Sequence, residues 1–526
     1  MNRNRTFAAI KGLLAFVVFA KTVPFQAQNV ETILQAPILA VNGGISASQI
    51  ATFTPGDTTG LNPYALYLSG NLNFSLLGEV NLPLSFAYTN QQLSKSVSLP
   101  FNRFSIAPSY KWVKVYAGYT SMQFSPYSLA GHELFGGGVE LTPDNGFKIS
   151  ALYGRLKKSS DGEDGTDPAY RRMGGGFKIE YQKEKFNVGV NLFKAQDIPS
   201  SIPPDSVATS PQDNLTGSVN ATVSLLEKLR FSGEYGFSAL NRNIYPQGDR
   251  FSLLAKDGDL ALYHAVKTQL TYTSDLGAIG ATYERVAPNY MTLGAYYMTN
   301  DFENVTANFA TTVKKISIAL DGGYQRNNLD KQKTNTTSRI IYAGNISSNV
   351  TEKFNISANF SNVQSYLYIN DVYSQVTQTN EFQNLDTLNV TQLNYSASLN
   401  SSYLLQSTKE KRQSANLNVM YQKSAEAQQY SRFSGNDIYN ASLSYQFSLL
   451  PLKLNASTSV NYNYNRMPDN LYTQAMTYSL SVQKTFFDEL KSALTGTYSR
   501  MSNQSGKLSN VLNLRLSESY VFAQRH

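Results

Sequence analysis

Few residues in this chain are suited to chemistry. It has 526 residues, three histidines and no cysteine. Without cysteine, thiol nucleophiles, thiolate metal sites and disulfides are all excluded. His132 stands beside Glu133 in a glycine-rich stretch, a short way after Ser128. An imidazole base near a hydroxyl is the start of a nucleophilic pair, yet the sequence fixes no third group to orient it. His264 shares a register with Leu262, Val266, Leu270 and Tyr272, a face expected to meet lipid near the outer headgroups. No catalytic residue is assigned, and the chain is not expected to be an enzyme.

Asp161, Glu163, Asp164 and Asp167 form the one dense carboxylate group, punctuated by glycines. Hard oxygen ligands of this type suit Ca²⁺, but the spacing matches no EF-hand. A solvated acidic loop tip accounts for the same residues, so no metal site and no cofactor is expected. There is also no phosphate-binding glycine loop followed by Lys-Ser/Thr.

Two segments have unusual composition for loops. Met122–Gly138 and Tyr283–Asp301 are rich in aromatics and glycine, as chain packed against something would be. The functional reading is a constriction or ligand platform built on Arg285, Tyr290, Tyr296, Tyr297 and Asp301, with His132 from the first segment. A loop merely packed on an inner wall would have the same composition.

The elements that position these segments follow from a period of two. From Leu215 the odd positions read Leu, Gly, Val, Ala, Val, Leu, with Thr216, Ser218, Asn220, Thr222 and Ser224 between them. Leu229–Ala239, Leu452–Tyr464 and Leu512–Phe522 alternate in the same way. Such alternation, sustained over about 10 residues, is a strand long enough to cross a bilayer at a tilt. Strands of a soluble sandwich are shorter, and their core face favours bulky aliphatics over the Gly, Ala and Tyr found here.

Composition agrees. Charged residues are 16% of the chain, against about a quarter in soluble domains, and Asn, Ser and Thr supply the polarity instead. After the N-terminus no apolar run approaches the length of a spanning helix. Residues 1–27 read as an export signal, with Arg3 and Arg5 ahead of an apolar stretch and cleavage after Ala20 or Ala27. The net charge of +8 is spread along the chain, which suits weak attraction to lipopolysaccharide phosphates and gives no concentrated patch for nucleic acid.

Short turns such as Leu77-Gly78, Glu227-Lys228 and Phe487–Glu489 alternate with long polar segments such as 154–172 and 241–258. Tyr110, Trp112, Tyr181, Phe186, Tyr272, Phe354, Phe447, Phe486 and Phe487 cluster at the short turns, where an interfacial girdle belongs. Short turns are therefore placed in the periplasm. Parity then requires a strand climbing near Leu39–Ala47 within the 28–63 segment, and the barrel proper occupies 64–526. The expectation is all-β: one up-and-down antiparallel transmembrane barrel of about 24 strands (22–26), with Asp249–Leu254 or Tyr290–Met298 as possible extra strands. A hole that wide needs closure by inward loops, by residues 29–60 threading the lumen, or by a partner.

Two phrases, Tyr110-Lys111-Trp112 leading to Phe124-Ser-Pro-Tyr127, and Arg285-Val-Ala-Pro288 leading to Leu293-Gly-Ala-Tyr-Tyr297 and Asn300-Asp301, resemble large outer-membrane barrels of the Bacteroidota type. The resemblance covers most of the mature chain. It implies uptake, export or envelope assembly without choosing among them. The expected function is a gated pore or transporter in the bacterial outer membrane for an unidentified solute. The alternative is a non-catalytic subunit of a secretion or envelope-assembly complex, with outer-membrane lipid, lipopolysaccharide and a surface lipoprotein as expected partners.

Overall fold

The computed structural model describes residues 38–53, 64–90, 103–162, 168–203, 210–245, 259–333, 336, 338–362, 365–367, 391–424, 436–467, 471–506 and 508–525. The export signal at 1–27, the possible strand at Asp249–Leu254 and the carboxylates Glu163, Asp164 and Asp167 lie outside them.

The strands form a single antiparallel sheet in chain order. A first arc holds β1 (Leu39–Phe53), β2 (Tyr64–Leu76), β3 (Val80–Thr89), β4 (Arg103–Ile106), β5 (Ser109–Tyr110) and β6 (Val113–Thr120). A second holds β7 (Leu134–Leu141), β8 (Phe147–Lys157), β9 (Arg171–Lys183), β10 (Phe186–Ile198), β11 (Asp213–Leu226), β12 (Leu229–Asn241), β13 (Leu260–Ser274) and β14 (Gly277–Val286). The third begins with β15 (Phe302–Val313), β16 (Ile316–Arg326), β17 (Ser338–Asn349), β18 (Phe354–Ser361), β19 (Ser365–Leu367) and β20 (Thr391–Ser407). It ends with β21 (Lys411–Ser424), β22 (Asp437–Leu449), β23 (Leu454–Arg466), β24 (Tyr472–Phe486), β25 (Leu490–Asn503) and β26 (Leu508–Arg525).

Two crossings are interrupted. β4 and β5 both pair with β3 and β6, and β18 and β19 both pair with β20. The sheet therefore makes 24 crossings, the number expected from parity. β1 pairs with β26 from Ala40↔Arg525 to Phe53↔Leu512, so the sheet closes on itself. Closure removes every free edge, which a bilayer demands because no water there can satisfy a bare backbone group. β1 thus belongs to the wall, and residues 39–53 do not thread the lumen.

The alternation sorts side chains as the sequence requires. Val219, Leu262, Leu443, Leu480 and Leu494 point away from the barrel axis and are exposed to the bilayer. Between them the inward positions carry Asn, Ser, Thr and scattered charges. The aromatic girdle stands where expected, with Tyr110, Trp112, Phe186, Tyr272, Phe486 and Phe487 exposed at the short turns. Lys111, Lys183 and Lys484 rest over Tyr110, Tyr181 and Phe486, an arrangement that leaves the ammonium free to reach water. At the opposite rim, ring centroids of Tyr421, Tyr439, Tyr464 and Tyr472 follow one another at 5.0, 6.0 and 5.8 Å.

Candidate functional site

On the second arc the inner face is not uniformly polar. Leu134 of β7, Leu152 and Leu156 of β8, and Phe193 and Ala195 of β10 all fall in the lumen-facing register. Apolar side chains facing a wet lumen would lose roughly 1.5–3 kcal/mol each if left bare. They are not bare. The connection between β6 and β7, at residues 121–133, turns inward and seats Phe124 and Leu129 on them. The connection between β14 and β15, residues 287–301, adds Leu293, completing a cluster in which Leu129 and Phe193 are fully buried. A second cluster joins Tyr127 and Tyr290 to Ala265 and Val286 on β13 and β14.

Polar groups lock this packing to the wall. Ser128 Oγ donates to Asn191 Oδ1 (2.5 Å), Asn191 Nδ2 to Ser218 Oγ (2.7 Å), and Ser218 Oγ to Glu234 Oε1 (2.7 Å). Ser125 Oγ donates to the same carboxylate oxygen, and Tyr127 OH donates to Glu284 Oε1 at 2.8 Å. From the other loop, Leu293 N donates to Asn214 Oδ1 (3.0 Å), while Ser238 Oγ donates to the Met291 carbonyl (2.6 Å). The loops also hold each other: Tyr290 OH donates to the Tyr127 carbonyl (2.7 Å), Thr292 Oγ1 to that of Ser128 (2.5 Å), and Ala130 N to that of Gly294 (3.0 Å). Buried groups with every partner made are costly to pull apart, since each orphaned one costs about 1–3 kcal/mol.

Two glycines let the backbones approach this closely. A Cβ on Gly236 of β12 would stand 2.7 Å from Cβ of Tyr127. One on Gly294 would stand 2.7 Å from the Ser128 carbonyl oxygen and 2.8 Å from the Phe193 ring.

His132 lies at the edge of this plug. Its ring stacks on Tyr296 with centroids 3.9 Å apart and planes 18° apart. Nδ1 donates to the Glu133 carbonyl at 2.8 Å, which fixes the proton on that nitrogen. Burial, helped by the positive charges of Arg172 and Lys157, lowers its pKa from 6.5 to about 4, so the ring is neutral at neutral pH. Glu133 is held by Arg103 at 3.3 Å, and Tyr296 OH accepts from Glu133 N at 3.2 Å. Burial raises the Glu133 carboxyl above its ordinary value, with Arg103 pulling the other way.

The residues singled out from the sequence thus part company. Tyr290, Tyr296 and His132 come together in the two-loop plug. Tyr297 is on the same loop but half exposed. Asp301, buried, ties the loop base to the next external loop by accepting from Leu329 N (2.9 Å) and pairing with Lys333. Tyr290–Met298 is not a strand.

Arg285 is a correction. β14 continues to Val286, so Arg285 shares the outward register of Ile279 and Ala281 and faces away from the lumen, against Glu303. Ser128 and His132 form no nucleophilic pair, because the hydroxyl is committed to Asn191. Asp161 is exposed, and among the described residues no group of three His, Asp or Glu could hold a metal ion.

Asn191, Asn214, Ser218, Glu234 and Phe193 are the structural partners the sequence reading missed. A signal existed in β10, where Phe193 directly follows Leu192 and so puts an aromatic ring on the face that carries Asn187, Gly189 and Asn191. An apolar side chain on a lumen-facing position needs a cover.

No protein-family model and no curated protein matches the chain. Among solved structures, the P pilus usher PapC translocation pore is similar with a TM-score of 0.42 and 10% identity, covering 91% of this chain and 99% of that one. A mutant ferric enterobactin receptor of Pseudomonas aeruginosa gives 0.46 and 9%, covering 93% and 81%. The outer membrane protein OprD of the same organism gives 0.34 and 9%, covering 94% and 96%. Likenesses this distant assign no activity. The closed sheet, the apolar outer face and the aromatic rims decide the class on their own. This is an outer-membrane β-barrel. Among the described residues the barrel carries a plug made from two of its own external loops and fixed to one side of its wall.

Proposed function

We propose that the barrel is a pore or transporter whose passage runs along the third arc, beside the plug. The observation that carries this is the asymmetry of the inner wall. Among the described residues, the two inward loops are pinned to β7–β14, while β15–β26 and β1 present Asn, Ser and Thr to the lumen. These side chains bond to each other across strands, as in Ser481–Thr495 (2.8 Å), Thr477–Ser499 (3.0 Å) and Ser46–Ser519 (3.0 Å). Near the periplasmic end they line a recess of about 470 Å³ that includes Ser317, Ser347, Asn355, Asn400, Asn416 and Asn418. A wall of amides and hydroxyls with few fixed charges suits a polar, uncharged solute, since it offers hydrogen bonds and no strong ion selectivity.

The reading is non-catalytic, supported by the commitment of the Ser128 hydroxyl to Asn191 and of the His132 ring to Glu133 and Tyr296. Kinship with the Bacteroidota type rests on the residue phrases around Trp112 and Arg285 alone. The test is single-channel recording from purified barrel in planar bilayers, with liposome swelling by neutral sugars of increasing size. The expected result is a weakly ion-selective conductance and swelling that falls off with solute size. A barrel silent in both assays would overturn the proposal.

A further inference from the structure

The displaced Arg285 belongs to an ordered outer face at the external ends of β14, β15 and β16. Arg285, Glu303 and Arg326 are direct cross-strand neighbours, forming one row across three strands. Glu303 is largely covered, with its side chain 14% exposed, while those of Arg285 and Arg326 are 47% and 52% exposed. The carboxylate accepts from Arg326 and from Tyr283 OH (2.7 Å), and lies 3.7 Å from the Arg285 guanidinium. The two guanidiniums flank the carboxylate, so the row carries two positive charges and one negative, with both guanidiniums about half exposed.

The rows below are equally regular. About 7 Å further along the strands stand Tyr283, Val305 and Tyr324, again direct neighbours. The next row is Ala281, Ala307 and Gly322, and the one after is Ile279, Phe309 and Leu320. A Cβ added to Gly322 would meet nothing within 4 Å. From rim to midplane the face therefore reads cationic, aromatic, shallow and apolar. Guanidiniums suit phosphate because their planar donors match its oxygens, and here two lipid-facing cations share one carboxylate, which leaves the row with a net positive charge.

We propose that the Arg285–Glu303–Arg326 row clamps the phosphate of an outer-leaflet glycolipid whose acyl chains descend over the Ala281–Ala307–Gly322 depression. The site lies on the barrel's exterior, so it does not depend on what the lumen passes.

Native mass spectrometry of detergent-purified barrel tests this with three probes: a bisphosphorylated, multiply acylated glycolipid, its dephosphorylated form, and inorganic phosphate. The phosphorylated lipid should bind, R285Q/R326Q should weaken it by roughly tenfold or more, and R466Q, at another part of the rim, should not. Ala307→Trp, a lipid-facing change that leaves both arginines in place, should weaken it several-fold by filling the depression. Heat-modifiable gel mobility reports that each variant is folded. Equal binding of the dephosphorylated lipid, displacement of the lipid by inorganic phosphate, or undiminished binding in both the double variant and Ala307→Trp would overturn the proposal.

Discussion

Between Leu134 and Val286 the inner wall mixes apolar side chains with paired charges, such as Lys148–Glu140 (3.1 Å), Lys178–Glu180 (2.9 Å) and Lys267–Glu284 (3.4 Å). From Phe302 onward, lumen-facing charges thin out to Asp321, Arg339, Arg412, Lys491 and Arg515 among the described residues. The first region holds two inward loops; among the described residues, the inward side chains of the second bond to one another through hydroxyls and amides. Both regions are antiparallel strands of one sheet, and they differ in the side chains turned inward. The plug is thus fixed to one side of the barrel by the wall's own inward side chains.

The sharpest way to break this comparison is to unseat the plug. Gly294→Val places a branched side chain against the Ser128 carbonyl and the Phe193 ring, and should raise single-channel conductance several-fold. Unchanged conductance would mean that the loops do not narrow the passage. Gly236→Val should act in the same direction by pushing Tyr127 off β12.

Asn191→Leu is the next largest. It removes the link between Ser128 and Ser218, leaving both hydroxyls short of a partner at a cost of about 1–3 kcal/mol. Hydrogen exchange should then quicken over residues 122–131 while β20–β24 are unaffected. Equal protection in variant and wild type would show that apolar packing alone holds the loop.

Acid should loosen the same plug. The folded pKa of His132 lies near 4, below the unfolded 6.5, so the unfolded loop binds the proton more readily. The stabilising contribution is whole above about 6.5 and declines as pH falls from there toward 4. Glu133, raised by burial, works in the opposite sense near its own titration. Current noise from loop opening should therefore grow between pH 6.5 and 4, and His132→Gln should flatten that dependence.

The smallest expected effect is on the third arc. Ser442→Asp adds a fixed charge to a wall that has few. It should bias permeability toward cations by about twofold, read from the reversal potential in a salt gradient.

The strands were legible because a period of two carries the wall, and parity alone demanded a strand at the weakly patterned Leu39–Ala47, now β1. The two inward loops were legible from Tyr, Phe and Gly where solvated loops carry Asp, Asn and Lys. Their attachment was not. Asn191 and Ser218 look like any other lumen-facing polar residue, and only three-dimensional proximity to Ser128 distinguishes them. Arg285 reads as loop from composition, yet β14 runs on to Val286, and that continued alternation turns its side chain outward.

The seam between β1 and β26 has a kinetic consequence. Ser46 and Ser519, bonded across it, are 473 residues apart in the chain, so this ladder has nearly the greatest sequence separation the polypeptide allows. Every other neighbouring pair of strands can zip locally as hairpins in sequence, whereas the seam must wait for both termini to meet. Until then the unfinished cylinder exposes two bare ladders, each able to recruit a stranger's strand. Register at the seam, from Ala40↔Arg525 to Phe53↔Leu512, is thus the last decision in assembly, and misregister there is the fault a quality-control step would have to detect.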